Sequence, residues 1–133
     1  MTMKPEQIAK TSEHSHQAAF FCWANQHKAI CAPLKFMFAI PNGGLRNKVQ
    51  AGKLKAEGVK AGAPDVFFPF PSGGFHGLWI EFKKPGTENR ANGALSKEQV
   101  EFRDYLTSQN YSHKVAYSYL QAIEQTIEYL SQV

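Results

Sequence analysis

The sequence predicts one α/β domain, a mixed sheet of about four strands flanked by helices in the order αβαββαβα. Two strand-like runs, 65–68 and 78–83, are joined by residues 69–77 (PFPSGGFHG), a turn-rich link of hairpin length that makes them antiparallel neighbours. A helix-period segment follows, and then a further strand-like run at 113–119 (HKVAYSY), the order of a strand–helix–strand crossover. Of the 133 residues 43% are hydrophobic and 13% aromatic, enough for one continuous core and too few for two domains.

Each element has a local cause. Residues 1–10 hold no element signal and are expected to be flexible. Ser12 can cap a first helix, with Glu13 in its first turn, where the helix dipole favours an anion. Gln17, Phe20 and Ala24 follow Glu13 at helical steps, so all four share one face. Residues 35–40 (KFMFAI) read as a strand closed by the turn Pro41-Asn42-Gly43-Gly44. A basic helix with a thin apolar face (Leu45, Val49, Leu54) runs over about 45–57 and stops at Gly58. Gly62-Ala63-Pro64 breaks the chain before the strand that Asp65 opens, and residues 85–93 form a polar loop without evident order. Ser96-Lys97-Glu98-Gln99 is a capping box that starts a helix carrying Val100, Phe102, Tyr105 and Leu106 and ends near Asn110. The last helix, 120–133, places Ile123, Ile127 and Leu130 on one side.

Charge and cysteine content narrow the function classes. The formal charge is +4, a mild tilt towards a polyanionic partner. Position says more: Arg46, Lys48, Lys53, Lys55 and Lys60 face a single acid, Glu57, within 46–60. That segment reads equally as a solvated helix face or as a phosphate-contacting surface. Cys22 and Cys31, placed in the first helix or at its end, would be separated by roughly 13 Å of helix rise, too far for a disulfide, and lack the paired spacing of a zinc site. Reduced thiols are expected. The first ten residues carry no apolar signal-peptide core and no apolar run reaches membrane-spanning length, so a cytoplasmic location is expected.

The chemistry concentrates on the run 78–83 (LWIEFK). Glu81 and Lys83 are two apart on a strand and leave the sheet on one face, which Trp79 shares, while Leu78, Ile80 and Phe82 point into the core. Asp65 opens the antiparallel neighbour, so its carboxylate can approach Glu81. Two adjacent carboxylates repel unless a cation lies between them, and a hard divalent ion such as Mg²⁺ is held by one or two carboxylates with water completing its shell. Lys83 can then hold an attacking water and offset charge on a phosphate. The alternative is that Glu81 and Lys83 are a solvated strand face.

Pro64-Asp65 and Glu81-Phe82-Lys83 together resemble the PD-(D/E)xK nuclease signature. The blocks around them are similar in order and spacing to the VRR-NUC family: Ile40-Pro41-Asn42-Gly43-Gly44, then Glu57 through Val66, Gly77 through Lys83, and Leu95-Ser96-Lys97-Glu98-Gln99. The likeness runs from about Glu13 to Tyr119 and is to the standalone form found in bacteriophages and bacteria. It implies a restriction-endonuclease-like fold and metal-dependent hydrolysis of DNA phosphodiesters, with Asp65 and Glu81 as ligands of Mg²⁺ or Mn²⁺ and the Phe82 carbonyl as a further ligand. By the same resemblance Glu13 is the helical acid added to the cluster and Gln17 follows it. Gln99, a capping residue on its own reading, also matches a glutamine near the site, and Asn42 and Gly43 lie on the active-site face against phosphate. If the basic segment 46–60 is a phosphate-contacting surface, Arg46, Lys48, Lys53 and Lys60 are the expected DNA contacts. Standalone members are similar to Holliday-junction resolvases and act as homodimers, which implies branched DNA as substrate here. The family more often has an aliphatic residue where this chain has Phe82.

Other readings stay open beside it. A nickase, a flap nuclease or an end-processing nuclease would use the same residues, and a non-catalytic DNA-binding module would use the basic helix alone. His14 and His16 point about 200° apart on a helix and cannot share an ion; exposure to solvent is expected for both. His76 sits in the hairpin turn. Phe20, Phe21, Trp23, Phe67 and Phe68 are assigned to the core.

Overall fold

The computed structural model describes residues 2–41 and 48–132. Its helices are α1 (Pro5–Ile8), α2 (Glu13–His27), α3 (Lys48–Ala56), α4 (Lys97–Ser108) and α5 (Tyr119–Leu130). The strands β1 (Phe38–Ala39), β2 (Val66–Phe68), β3 (Leu78–Phe82) and β4 (Ser112–Ala116) form one sheet in the order β1-β2-β3-β4. The first two pairings are antiparallel and β3–β4 is parallel, so the hairpin and the crossover both form as the sequence predicts.

Alternation along the strands decides what each face meets. Val66, Phe68, Leu78, Ile80 and Phe82 are buried on one face, under α2 and α5. Phe20 of α2 meets Phe82 at 5.8 Å between ring centroids, and Tyr129 of α5 meets Phe68 at 6.1 Å. Each such fully buried side chain stabilises the fold by about 1.5–3 kcal/mol. The other face carries Phe67, stacked on Trp79 at 4.2 Å, and is roofed by α4 near β4.

Several sequence expectations are corrected. The first strand is short because Pro33 favours a 3₁₀ turn over Ala32–Phe36, which takes Lys35 and Phe36 out of the sheet. Cys31 precedes that turn, outside the helix, and both cysteines are free. Residues 3–8 are tied down: the Met3 carbonyl accepts from Gln26 Nε2 at 2.8 Å, and α1 packs on α2. Strand β4 stops at Ala116 because Ser118 caps α5, its hydroxyl accepting the Gln121 N–H. On α5 the buried set is Ala122, Thr126 and Tyr129, and Ile127 is exposed. Residues 85–93, expected to lack order, contain buried Thr87 and a 3₁₀ turn over Ala91–Gly93.

Candidate active site

The backbone alternation brings the two acids together. Asp65 turns its carbonyl to β1, accepting from Ile40 N at 2.7 Å. On β3, the odd-numbered residues bond to β4: Gly77 O accepts from Ser112 N, and Lys83 N donates to Ala116 O. Extending the β2–β3 register one step beyond Val66↔Ile80 sets Asp65 opposite Glu81. Since both turn their backbone groups away from each other, they form a non-hydrogen-bonded pair, the arrangement in which facing side chains are closest, with Cα atoms about 4.5 Å apart.

One further step sets Pro64 opposite Phe82. Proline has no N–H for the ladder, and the Phe82 N–H is taken by Asp65 Oδ2 at 2.7 Å instead. The Phe82 carbonyl faces the same side and receives no ladder bond from Pro64, which leaves it available beside the carboxylates. Upstream, Gly62 has φ +87, and a Cβ there would come within 2.5 Å of the Glu98 backbone. Only glycine allows this approach, and it packs the lead-in to Asp65 against the start of α4.

That start of α4 delivers Gln99, which does two jobs at once. Its Oε1 accepts from Ser96 N at 2.8 Å, completing the capping box, and from Lys83 Nζ at 2.8 Å. Its Nε2 donates to Glu81 Oε1 at 2.7 Å. The cap and the site share one amide, so helix initiation and the orientation of Glu81 and Lys83 are set together.

Asp65 and Glu81 are buried, with 6% and 4% of their surface exposed. Burial, followed by the charge of Asp65, pushes the Glu81 carboxyl up to about 9; Lys83 opposes the rise, and the Glu13 charge adds to it. The second Glu81 oxygen, Oε2, is buried without a hydrogen-bond partner among the described residues. A buried, unsatisfied carboxylate oxygen beside a second carboxylate fits a hard cation, and all the donors here are oxygen. Among the described residues no three His, Cys, Asp or Glu side chains gather as a metal cage. Glu13, half-buried at the start of α2, reaches the pair through its charge, not as a third member of a cluster.

The other named residues divide clearly. Gln17 is half-buried one turn beyond Glu13. Lys53 and Lys60 are exposed, and α3, opened by Lys48, has no buried side chain among the described residues. Asn42, Gly43 and Arg46 lie outside the described residues. His14 is exposed as expected, but His16 is buried: Nε2 donates to the Lys10 carbonyl at 2.8 Å and Nδ1 accepts from Tyr119 N at 2.9 Å, tying α2 to α5. His76 is exposed, its ring against Tyr111. Sequence reasoning missed Lys84 and Asn92, which line a cleft with Glu13; the only local signal was a second lysine directly after Lys83.

Comparison with known proteins matches this architecture to a nuclease domain. Residues 6–120 match the family model described as the VRR-NUC domain. A solved structure named "VRR_NUC domain protein" is similar with a TM-score of 0.72 and 26% identity, over 92% of this chain and 91% of that one. No curated protein matches. The fold is thus that of a nuclease domain, with DNA as its substrate class. The chain belongs to the VRR-NUC domain family.

Proposed function

We propose that the protein is a Mg²⁺- or Mn²⁺-dependent endodeoxyribonuclease that acts on branched DNA such as a four-way junction, as a homodimer. The observation that carries the metal-dependent chemistry is the buried Asp65–Glu81 pair, with its unsatisfied Oε2, next to a lysine held in place by Gln99. Asp65, Glu81 and the Phe82 carbonyl would hold the ion, with Glu13 adding negative charge. When bound, it supplies Lewis-acid stabilisation of the phosphate oxygens and lowers the pKa of water. Lys83 stands beside Glu81 to hydrogen-bond the attacking water and offset the charge that develops on the phosphate. Water oxygen bonds to phosphorus, the bond to the leaving sugar oxygen breaks, and a proton passes from the water to that oxygen through solvent.

The proposed DNA path runs from this pair along exposed Lys53 and Lys60, with Lys48, Arg46, Asn42, Gly43 and Gln17 as further contacts. Symmetric cuts across a junction need two sites, hence two subunits. Among the described residues no strand pairs with the outer edge of β1, and Phe36 before it and Phe38 on it are exposed, which gives a second copy apolar surface to bury.

The test is incubation of a labelled four-way junction with Mg²⁺ or Mn²⁺, alongside Lys83→Ala and Asp65→Ala proteins and a measurement of mass in solution. Paired metal-dependent cuts by a dimer, absent from both variants, are expected. Cutting that survives chelation would sink the metal reading. A monomer that cuts single strands or flaps would shift the reading to a nickase or an end-processing nuclease. Salt-sensitive binding without cleavage in any metal would make the protein a DNA-binding module.

A further inference from the structure

Thr11, Ser12, Glu13, Lys84 and Asn92 line a cleft of about 440 Å³ between the start of α2 and the exit of β3. We infer that this cleft seats a backbone phosphate next to the scissile one on the strand being cut, with Lys84 and Asn92 as its donors. The inference rests on the nuclease reading above and adds residues that the reading does not include.

Position is the first argument. Lys84 directly follows Lys83, and successive residues of an extended chain point to opposite faces. Lys83 is thereby turned to the face of Glu81 and Gln99, and Lys84 to the side of α2, where it lines the cleft with Ser12 and Glu13. Glu13, which lines the cleft, also contributes its charge to Glu81. A strand lying across the end of β3 would pass one lysine and then the other.

Chemistry is the second. Lys84 is exposed, and its ammonium makes no ion pair recorded among the described residues. The exposed Asn92 amide and the Thr11 and Ser12 hydroxyls add donors suited to a phosphate. Glu13 repels an anion, so Lys84 and Asn92 are the groups that hold the phosphate.

Preorganisation is the third. Residues 84–93 are held by hydrogen bonds that do not depend on DNA: Thr87 Oγ1 donates to Lys84 O at 2.6 Å, Arg90 N to Thr87 O at 3.0 Å, and Tyr117 Oη to Gly93 O at 2.7 Å. Gly93 packs directly on Thr87, in space a Cβ would occupy. A loop ordered in advance loses little further entropy when it binds.

The experiment compares wild type with Lys84→Ala, Asn92→Ala and Lys28→Ala. Lys28 is exposed at the far end of α2, about 23 Å from the cleft by helix rise, and controls for the lost charge. Binding to a labelled four-way junction is measured in chelator over a range of salt. Lys84→Ala should weaken binding about three- to tenfold and make the slope of log K against log[salt] shallower by about 0.9. Asn92→Ala should weaken binding with the slope unchanged, and Lys28→Ala should move neither. In Mg²⁺, Lys84→Ala should raise KM with kcat preserved, the signature of an interaction made equally before and in the transition state. If wild type cuts DNA and Lys84→Ala matches Lys28→Ala in affinity and slope, the inference is overturned and the nuclease reading stands. A wild-type protein that neither binds nor cuts DNA removes both.

Discussion

The two faces of the central sheet are made by the same strands, one residue out of step, and have opposite physical characters. On one, Val66, Phe68, Leu78, Ile80 and Phe82 are sealed under α2 and α5. On the other, Asp65, Trp79, Glu81 and Lys83 stand under a partial roof from α4, and Glu81 is buried at a cost that its raised pKa records. Burial stabilises the fold on the first face; on the second it stores an electrostatic penalty that a bound cation would relieve. Phe82 and Glu81 are neighbours in sequence, so stability and chemistry are separated by a single residue step.

If that division holds, variants on the two faces should fail in opposite ways. Asp65→Asn should lower cleavage at least about a thousandfold, about 4 kcal/mol of barrier, with the stability of the metal-free protein undiminished, because Asn can still accept the Phe82 N–H. Phe20→Ala, on the dry face, should cost about 3–5 kcal/mol of stability. Denaturant titration beside single-turnover cleavage checks both, and a large stability loss in Asp65→Asn would break the comparison.

The pH dependence follows from Glu81. Its folded-state pKa, about 9, lies above the ordinary value of 4.5, so between these values the native state binds more protons than the unfolded state. Stability is then present at low pH and lost as pH rises through that window. The thermal midpoint of the metal-free protein should fall from pH 5 to pH 9, less so in Glu81→Gln, and added Mg²⁺ should offset the fall only in wild type. Equal slopes in both proteins would show that Glu81 does not carry the penalty.

Gln99 joins the roof to the site and gives the smallest effect. Gln99→Ala should cost about 1 kcal/mol of stability through the cap and lower cleavage about 10–100-fold by releasing Lys83 and Glu81. Gln99→Glu keeps the acceptor for Ser96 and Lys83 but loses the donor to Glu81, so it should restore stability more than activity. Calorimetry and initial rates separate the two.

Much of this was legible in local pattern. Period-two alternation over 78–83 places Glu81 and Lys83 together and Phe82 inward, the hairpin-length link makes β2 and β3 antiparallel, and Ser96–Gln99 announces the start of α4. These depend on residues close in the chain, and dihedral preferences act there. The ordered loop before α4 and the burial of His16 escaped, since each depends on partners far away in sequence, Tyr117 for Gly93 and Tyr119 for His16; the short β1 had a local sign in Pro33, which the strand-like run 35–40 outweighed.

By itself, then, the sequence determined which residue types share a strand face and where the elements begin. Tertiary structure alone decided that Asp65 and Glu81 form a facing pair with their backbones turned apart, and that the Gln99 amide, while capping its helix, bonds both Glu81 and Lys83. The physical reason is that periodicity is a property of one segment. Register, burial and shared hydrogen bonds exist only between segments, once the sheet and its covering helices have come together.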